Sequence, residues 1–245
     1  MPATEPYQLY YWSEIPGRGE FVRLVLEEAA APYDDVARRP KSQGGGSDAV
    51  LAFYEGRHDG HPIFAPPVLK HGDVVLAQTA AICDYLGRRH ALTPGDEAGA
   101  AQALELQLTI ADLVAEVHET HHPISSALYY EDQQREAKKR AKHFTDARLP
   151  RFLAYFERVL AHGGREMLVG ERTTHADLSL FQALEGLAYA FPRAFARDIQ
   201  KAPRAIALRE RVRHLPRIAA YLASPRRVAF NQQGIFRRYP ELDAA

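Results

Sequence analysis

The hydrophobic pattern of the chain changes near residue 90, and this change constrains the fold more than any other feature. Before it, short apolar runs of strand length alternate with helical spacing, whereas after it only helical spacing occurs. Pro94 and Gly95 interrupt the pattern at the change. The sequence therefore predicts a mixed α/β unit over residues 1–90, followed by an all-helical unit over 98–245. Helices of the second unit are predicted over 99–121 and 133–162 and from near Thr174, Arg204 and Pro216.

Within the first 90 residues, the order of predicted elements is that of a small sheet covered by helices. Aromatic residues dominate the first run, and helical spacing follows it after a glycine-bearing loop. Two later apolar runs are joined by His71-Gly72-Asp73, which is typical of a β-hairpin. The predictions are a strand at 7–12, a helix at 21–29, a loop at 38–61 with one short helix near 48–55, hairpin strands within 64–69 and 74–77, and a helix at 79–89.

Composition and charge argue against several classes of protein. Lysine and arginine together number 31, as do aspartate and glutamate, so no net field favours a nucleic acid or an anionic membrane. No apolar run has the length of a transmembrane helix, and the first residues do not have the pattern of a secretory leader. The single cysteine, Cys83, excludes an intramolecular disulfide and suits a reducing compartment. We therefore expect a cytoplasmic protein that binds neither nucleic acid nor membranes.

At three places in the first unit, residues that could contact a ligand lie where one predicted element ends and the next begins. Tyr11 comes at the end of the first predicted strand, before a turn into a helix, where its hydroxyl would face a ligand near the start of that helix. Pro66 and Pro67 precede a strand, and a cis bond there would present the backbone to an extended peptide. Thr79, after Gln78, begins a helix whose free N–H groups can bind a carboxylate. Taken singly, each has an ordinary structural explanation: core packing, a rigid strand entry or a helix cap.

Taken together, these places resemble the glutathione site of the cytosolic glutathione transferases. The resemblance is carried by YQLYYW, GRGEFVRLVLEEA, APPVL and LAQTAAICDYLG, and it extends over nearly the whole chain. It implies a thioredoxin-like glutathione-binding domain at 1–90 and a helical bundle domain with an electrophile pocket at 98–245. It also implies one of the tyrosine-type classes, in a bacterial form similar to the sigma and mu classes.

The resemblance assigns roles to residues of the first domain. Tyr11 matches the tyrosine that donates to the glutathione sulfur, and Arg18 matches an arginine near that sulfur in some classes. Pro67 matches a cis-proline next to the backbone that pairs with the cysteinyl group, and Gln78-Thr79 matches the pair that holds the γ-glutamyl group. The implied site consists of Tyr11 as the catalytic residue and Trp12, Arg18, Pro66, Pro67, Gln78, Thr79 and Asp112 as glutathione-binding residues.

The helical unit contributes two of the matches. LVGERTTHADLSLF resembles a buried capping motif of the family, with Thr174 as the N-cap and Asp177 three residues later. In LTIADL, Asp112 matches an acidic residue that reaches the glutathione amine of the neighbouring subunit, which implies a homodimer. Segment 230–242 either folds over the second-substrate pocket or packs as a simple tail. Candidate pocket residues, for which core packing is an equal explanation, are Tyr129, Tyr130, Tyr189 and Phe191.

The implied reaction is attack of the glutathione thiolate on a small electrophile, with glutathione as co-substrate. A free thiol has a pKa of about 8.5, so a tyrosine O–H that donates to the sulfur would increase the ionised fraction. Ser13 is the alternative activator, because other classes of the family use a serine a few residues further along. Isomerase and peroxidase activities stay open. A non-catalytic glutathione-binding protein stays open as well, because Pro66 has no N–H to donate to glutathione. Arg39 and Lys41 are the candidates for binding the glycine carboxylate of glutathione.

One motif points to different chemistry. His118-Glu119-Thr120-His121-His122 satisfies H-E-x-x-H, in which two histidines on one helix face bind zinc and the glutamate acts as a base. Pro123 is expected to end the helix at about His122, and no third ligand is evident further along the chain. The sequence therefore predicts no metal. Cys83 lies in the apolar pattern of a helix and is expected to be structural rather than nucleophilic.

Overall fold

The computed structural model describes residues 5–58, 61–162, 164 and 166–243. Its first part is a four-stranded sheet with the strand order β2-β1-β3-β4. Strand β1 pairs with β2 in parallel and with β3 in antiparallel orientation, and β3 and β4 form an antiparallel hairpin. The elements are β1 (Tyr7–Tyr10), α1 (Gly19–Glu28), β2 (Tyr33–Asp35), α2 (Ser47–Tyr54), β3 (Val68–His71), β4 (Val74–Ala77) and α3 (Thr79–Arg89).

The core of this part lies between the sheet and the two longer helices. Leu9 of β1 and Leu69 of β3 are fully or almost fully buried, and they meet apolar residues that recur at helical spacing on α1 and α3. Cys83 belongs to this core, and burial raises the pKa of its thiol to about 12. Its thiol is therefore not ionised at neutral pH, which confirms the structural role expected for it.

Besides shifts of one or two residues at the ends of β1 and α1, two predictions for the first part need correction. Strand β2 was not predicted, because Tyr33-Asp34-Asp35 has no apolar alternation; its pairing with β1 makes it a strand. The strand of the first hairpin run begins at Val68 rather than Phe64, since Pro66 and Pro67 precede it and proline has no N–H for a ladder. Helix α3 has the predicted bounds, and α2 is the predicted short helix shifted by one residue.

The regular elements of the second part are all helices in the residues that the structure describes. The predicted helix 133–162 is divided by a π-helical turn over Phe144–Arg148, and the eight-residue helix that begins at Pro192 was not predicted. The helices are α4 (Glu97–Glu119), α5 (Gln134–His143), α6 (Leu149–Ala161), α7 (His175–Ala190), α8 (Pro192–Ile199), α9 (Pro203–Arg213) and α10 (Pro216–Leu222).

The predicted capping motif of α7 is confirmed. Thr174 is the N-cap, and its backbone N–H and its hydroxyl both donate to the Asp177 carboxylate at 2.7 Å. The other carboxylate oxygen accepts from the backbone N–H of Leu168 at 2.8 Å. Asp177 is fully buried, so these bonds connect the preceding loop to the most buried helix of the second part.

A buried charged network joins α1 to the end of the chain. Arg23 is fully buried, and it contacts Glu20 at 3.2 Å and Asp35 at 2.7 Å. Glu20 also accepts the Tyr221 hydroxyl at 2.5 Å and pairs with Arg227. Helix α10 is thereby held against α1, so the two parts of the chain pack on each other.

The predicted fold class, an α/β unit followed by an all-helical unit, is confirmed. The domain limits 1–90 and 98–245 stay a prediction. Their outer ends, residues 1–4 and 244–245, lie outside the described residues.

Candidate active site

Tyr11 lies directly after β1, and its side chain is 7% exposed. Its hydroxyl accepts a hydrogen bond of 2.9 Å from the backbone N–H of Arg18, at the start of α1. The ring lies beneath two glycines that flank Arg18. A Cβ at Gly19 would come within 2.5 Å of the ring, and a Cβ at Gly17 would overlap the hydroxyl. The sequence GRG therefore leaves room for the phenol beside the loop.

This environment keeps the phenol protonated. Burial raises the pKa of Tyr11 above its usual value of 10, and the N–H and charge of Arg18, with Arg23, oppose that rise in part. Because the oxygen already accepts from Arg18, the O–H proton is available for a separate acceptor. Among the described residues, no protein group takes that proton. Tyr11 is thus a neutral hydrogen-bond donor at pH 7.

Thr79 and Gln78 lie at the N-terminus of α3. Gln78 is exposed and has φ +67°, in the left-handed region that few residues other than glycine adopt. The Thr79 hydroxyl oxygen is buried and, within the described part of the chain, has no hydrogen-bond partner. A buried polar atom without a partner costs free energy, so a ligand group at this helix start would satisfy it.

A small cavity lies between Arg18 and Thr79, and Tyr11 does not line it. Arg18 and Phe21 of the first part and Thr79 line one side, and residues of α4, among them Ala111 and Val114, line the other. The cavity thus lies at the junction of the two parts. Asp112 follows Ala111 on α4 but does not line the cavity, so this chain alone does not bring Asp112 to Thr79.

The remaining predicted binding residues lie around this junction. The peptide bond between Pro66 and Pro67 is cis, as expected; Pro67 is buried and Pro66 is half-buried. Trp12 is half-buried, as is Ser13, in the loop between β1 and α1. Their contacts with glutathione stay predictions. Of the two candidates for the glycine carboxylate, Arg39 is paired with Asp34, and Lys41 lies 3.9 Å from Asp48.

The C-terminal segment, residues 230–243, returns to the loop between β1 and α1. The Asn231 side chain donates to the Glu14 carbonyl at 2.7 Å, and a Cβ at Gly234 would lie 3.6–3.9 Å from atoms of residues 15–17. The backbone carbonyl of Ile235 lies 2.7 Å from Nε2 of His121. The segment therefore packs between the Tyr11 loop and the end of α4, which agrees with both alternatives given for it, a fold over the pocket and a packed tail.

Two of the four candidate pocket residues line an open cleft at this end of the molecule. Tyr129 is 78% exposed, and Tyr130 stacks on Tyr239 with ring centroids 3.9 Å apart. His122 and Arg237 line the same cleft. The other two candidates do not line it: Tyr189 stacks on Phe230, and Phe191 packs against Phe144 in the core.

Sequence reasoning did not identify the approach of three imidazoles beside this cleft. His118, His121 and His122 each offer a ring nitrogen within 4.8 Å of the others. The positive charge of Arg18 helps to lower the pKa of His118, so the three histidines also lie near the start of α1. The H-E-x-x-H motif was the available signal, but its inner histidine was not considered as a ligand.

Known proteins resemble this chain over most of its length. The sequence model for the glutathione S-transferase C-terminal domain matches residues 118–225. Glutathione S-transferase alpha-3 of Rattus norvegicus is 30% identical over 207 residues, which cover 84% of this chain and 84% of the rat protein. The chain belongs to the glutathione S-transferase family. The prediction made from the sequence is confirmed at the level of the family.

This glutathione S-transferase also resembles proteins of Schistosoma japonicum, Ascaris lumbricoides and Nilaparvata lugens. The class-mu 26 kDa isozyme of Schistosoma japonicum is 27% identical over 235 residues, covering 92% of each chain. The solved structure of the Ascaris lumbricoides glutathione S-transferase has 25% identity and a TM-score of 0.65, over 89% of this chain and 97% of that one. Prostaglandin synthase D of Nilaparvata lugens, at 20% identity and a TM-score of 0.70, shares the fold over 90% of this chain and 98% of its own.

None of the helices in the described residues has both the length and the apolar character that crossing a lipid bilayer requires. The expected cytoplasmic location stays a prediction.

Proposed function

We propose that this family member is a tyrosine-type glutathione transferase, in which Tyr11 activates the thiol of glutathione for attack on small electrophiles. The observation that carries the proposal is the neutral Tyr11 hydroxyl, which accepts from the Arg18 N–H and has its own proton free. A thiolate next to that hydroxyl would receive a charge-assisted hydrogen bond. Since a free thiol has a pKa of about 8.5, this bond increases the fraction of nucleophile at pH 7.

Glutathione is proposed to bind with its γ-glutamyl end at the N-terminus of α3. The γ-glutamyl carboxylate would accept from the Thr79 hydroxyl, which is buried without a partner, and from N–H groups at the N-terminus of α3. Arg18 lines the same cavity and would add positive charge between this end of the ligand and the sulfur. The backbone beside Pro67 would pair with the cysteinyl group, with one donor fewer than usual because Pro66 has no N–H.

Tyr11 is preferred to Ser13 on the basis of its contacts. The Tyr11 oxygen is held by the Arg18 N–H at 2.9 Å, so its position is defined before a ligand arrives. Ser13 is half-buried in the same loop. Within the part of the chain that the structure describes, its hydroxyl has no such bond.

The electrophile is proposed to enter from the cleft beside the C-terminal segment. Tyr129 and Tyr130 supply aromatic surface there, and Arg237 supplies charge. These side chains suit a small aromatic or carbonyl-containing electrophile. Isomerase and peroxidase reactions use the same thiolate and remain alternatives, because the cleft does not distinguish them.

A homodimer is part of the same proposal. Leu108 is 50% exposed on α4, and it shares a helix face with Glu105 and Asp112, at spacings of three and four residues. Phe64 is 87% exposed before β3. A second copy over these residues would bury both apolar side chains and direct Asp112 toward the glutathione amine of its partner. The mass in solution, measured by light scattering, is expected to be twice 27.5 kDa.

The proposal is tested by glutathione titration and by conjugation to a chlorodinitrobenzene. Wild type is expected to bind glutathione saturably and to form the conjugate. Thr79→Ala removes one hydrogen bond to a carboxylate, so we expect glutathione affinity to fall about 10- to 150-fold, from roughly 1.5–3 kcal/mol, while kcat changes little.

Thr109→Ala is the matched control, because Thr109 is half-buried on α4 and its hydroxyl donates to the Glu105 carbonyl within its own helix, away from the start of α3. Its affinity should equal that of wild type. An absence of glutathione binding at millimolar concentration would overturn the proposal. Binding without conjugate formation would instead favour a non-catalytic binding protein.

A further inference from the structure

The histidine cluster, His118, His121 and His122, forms where α4 ends. The helix ends at Glu119 with Thr120 as its C-cap, so it stops before the end of the H-E-x-x-H motif. The backbone N–H groups of His121 and His122 nevertheless bond back to the His118 carbonyl at 3.3 and 3.2 Å. This last turn gathers the rings, whose centroids lie 4.7–5.1 Å apart. The chain thus supplies a third imidazole, His121, from inside the motif.

One bond determines the tautomer of the most buried ring. Nε2 of His121 lies 2.7 Å from the carbonyl oxygen of Ile235, and a carbonyl can only accept. Nε2 therefore carries the proton, and the unprotonated Nδ1 accepts a hydrogen bond from Nδ1 of His122, 2.5 Å away. An imidazole that donates one N–H to a backbone carbonyl and presents its other nitrogen inward is the usual arrangement around a protein-bound metal.

Each of the three rings can offer one nitrogen lone pair to a metal. His121 holds its proton on Nε2, toward the Ile235 carbonyl, and His122 offers Nδ1 once its proton moves to Nε2. Three histidines with a free fourth position suit a tetrahedral ion of the zinc type.

The surrounding charges define the site further. Glu119, which would be the base of a zinc protease motif, pairs with Arg140 at 2.8 Å, so it is not directed into the cluster. The positive charge of Arg237 lies close enough to affect all three rings, and that of Arg18 affects His118. The negative charge of Glu131 affects His122. These two guanidinium groups repel a bound cation, and an anion in the fourth position would offset part of that repulsion.

We propose that His118, His121 and His122 bind one divalent transition-metal ion of the zinc type, with an anion in the fourth position. Ligand nitrogens around tetrahedral zinc lie about 3.3 Å apart, given Zn–N bonds of about 2.0–2.1 Å. The present separations, from 2.5 Å up to 4.8 Å, bracket that value, so rotations of the side chains suffice. The proposal does not depend on glutathione chemistry.

The test uses the full chain without a histidine affinity tag, after treatment with a chelator, in a buffer that contains chloride. Titration with Zn²⁺ is expected to give one tight site per chain. Co²⁺ is expected to give the intense visible absorption of a four-coordinate site. His122→Ala should weaken Zn²⁺ binding more than 10-fold and abolish the cobalt bands, because it removes one of the three ligands.

His143→Ala is the matched control, since His143 is exposed at the end of α5, outside the cluster. It should bind Zn²⁺ as wild type does. Equal Zn²⁺ affinity in His122→Ala and wild type would overturn the proposal, as would the weak spectrum of six-coordinate cobalt in the unmodified protein. The cobalt spectrum of wild type requires no substitution, so it decides the question even if a variant fails to fold.

Discussion

Tyr11→Phe removes one oxygen at the centre of the proposed mechanism. The lost bond is a hydroxyl donating to a thiolate, and hydrogen bonds to charged groups contribute roughly 1.5–3 kcal/mol. We therefore expect the conjugation rate to fall about 10- to 150-fold, since about 1.4 kcal/mol corresponds to a factor of ten. Glutathione affinity should change little, because the γ-glutamyl contacts at Thr79 are untouched.

The same substitution should change the pH dependence of the rate. Without the donor the thiolate is less stable, so the pKa of the bound thiol rises by about 1–2 units. The midpoint of the rise in conjugation rate with pH should move upward by that amount. Measurement of kcat/KM from pH 6 to pH 9 with a chlorodinitrobenzene would detect the shift.

Tyr10→Phe is the matched control for this experiment. Tyr10 also loses a hydroxyl, but that hydroxyl donates to the Gln8 side chain at 3.2 Å and not toward the Arg18 loop. Its rate and its pH midpoint should match wild type. Equal rates in the Tyr11→Phe and Tyr10→Phe proteins would refute the reasoning, and Ser13→Ala kinetics would then identify the serine as activator.

Three further predictions concern stability. Asp177→Ala leaves partners of a fully buried carboxylate unpaired and should lower the free energy of unfolding by about 3–5 kcal/mol; a urea midpoint equal to that of wild type would contradict this. Arg23→Ala removes a partner of the buried Glu20 and should cost about 3–5 kcal/mol, whereas Arg88→Ala, at an exposed pair, should cost less than about 1 kcal/mol in the same assay. Burial lowers the pKa of His175 to about 4, below its unfolded value of about 6.5, so its contribution is present above pH 6.5 and is lost as the pH falls toward 4. Between pH 7 and pH 5 the free energy of unfolding of wild type should fall by about 2 kcal/mol more than that of His175→Gln. Equal falls in urea titrations would contradict the lowered pKa of His175 in the folded protein.

Elements with a complete local signal were predicted well from the sequence. Helix α3 has the predicted bounds because Thr79 begins it, the apolar spacing continues through it and basic residues occupy its last turn. The capping motif at Thr174 and Asp177 was predicted for the same reason, since both partners lie within one turn. Such signals depend on residues that are neighbours in the chain.

Elements held by distant partners were missed. Strand β2 consists of Tyr33-Asp34-Asp35, and only its pairing with β1 distinguishes it from a loop. The predicted helix over 133–162 was divided because the backbone changes to a π-helical turn where α5 and α6 meet. Neither feature leaves a periodic pattern that could be recognised beforehand.

The candidate site also combines features that the sequence predicts with features that depend on tertiary packing. The sequence by itself determined the family, the two-part fold and the residue types available at Tyr11, Arg18 and Thr79. Only the tertiary structure decided that the Arg18 N–H holds the Tyr11 oxygen, that the Thr79 hydroxyl lacks a partner, and that His121 bonds to Ile235, 114 residues away. The physical reason is range: helix periods and caps act over a few residues, whereas burial and hydrogen bonds between distant segments depend on how those segments pack.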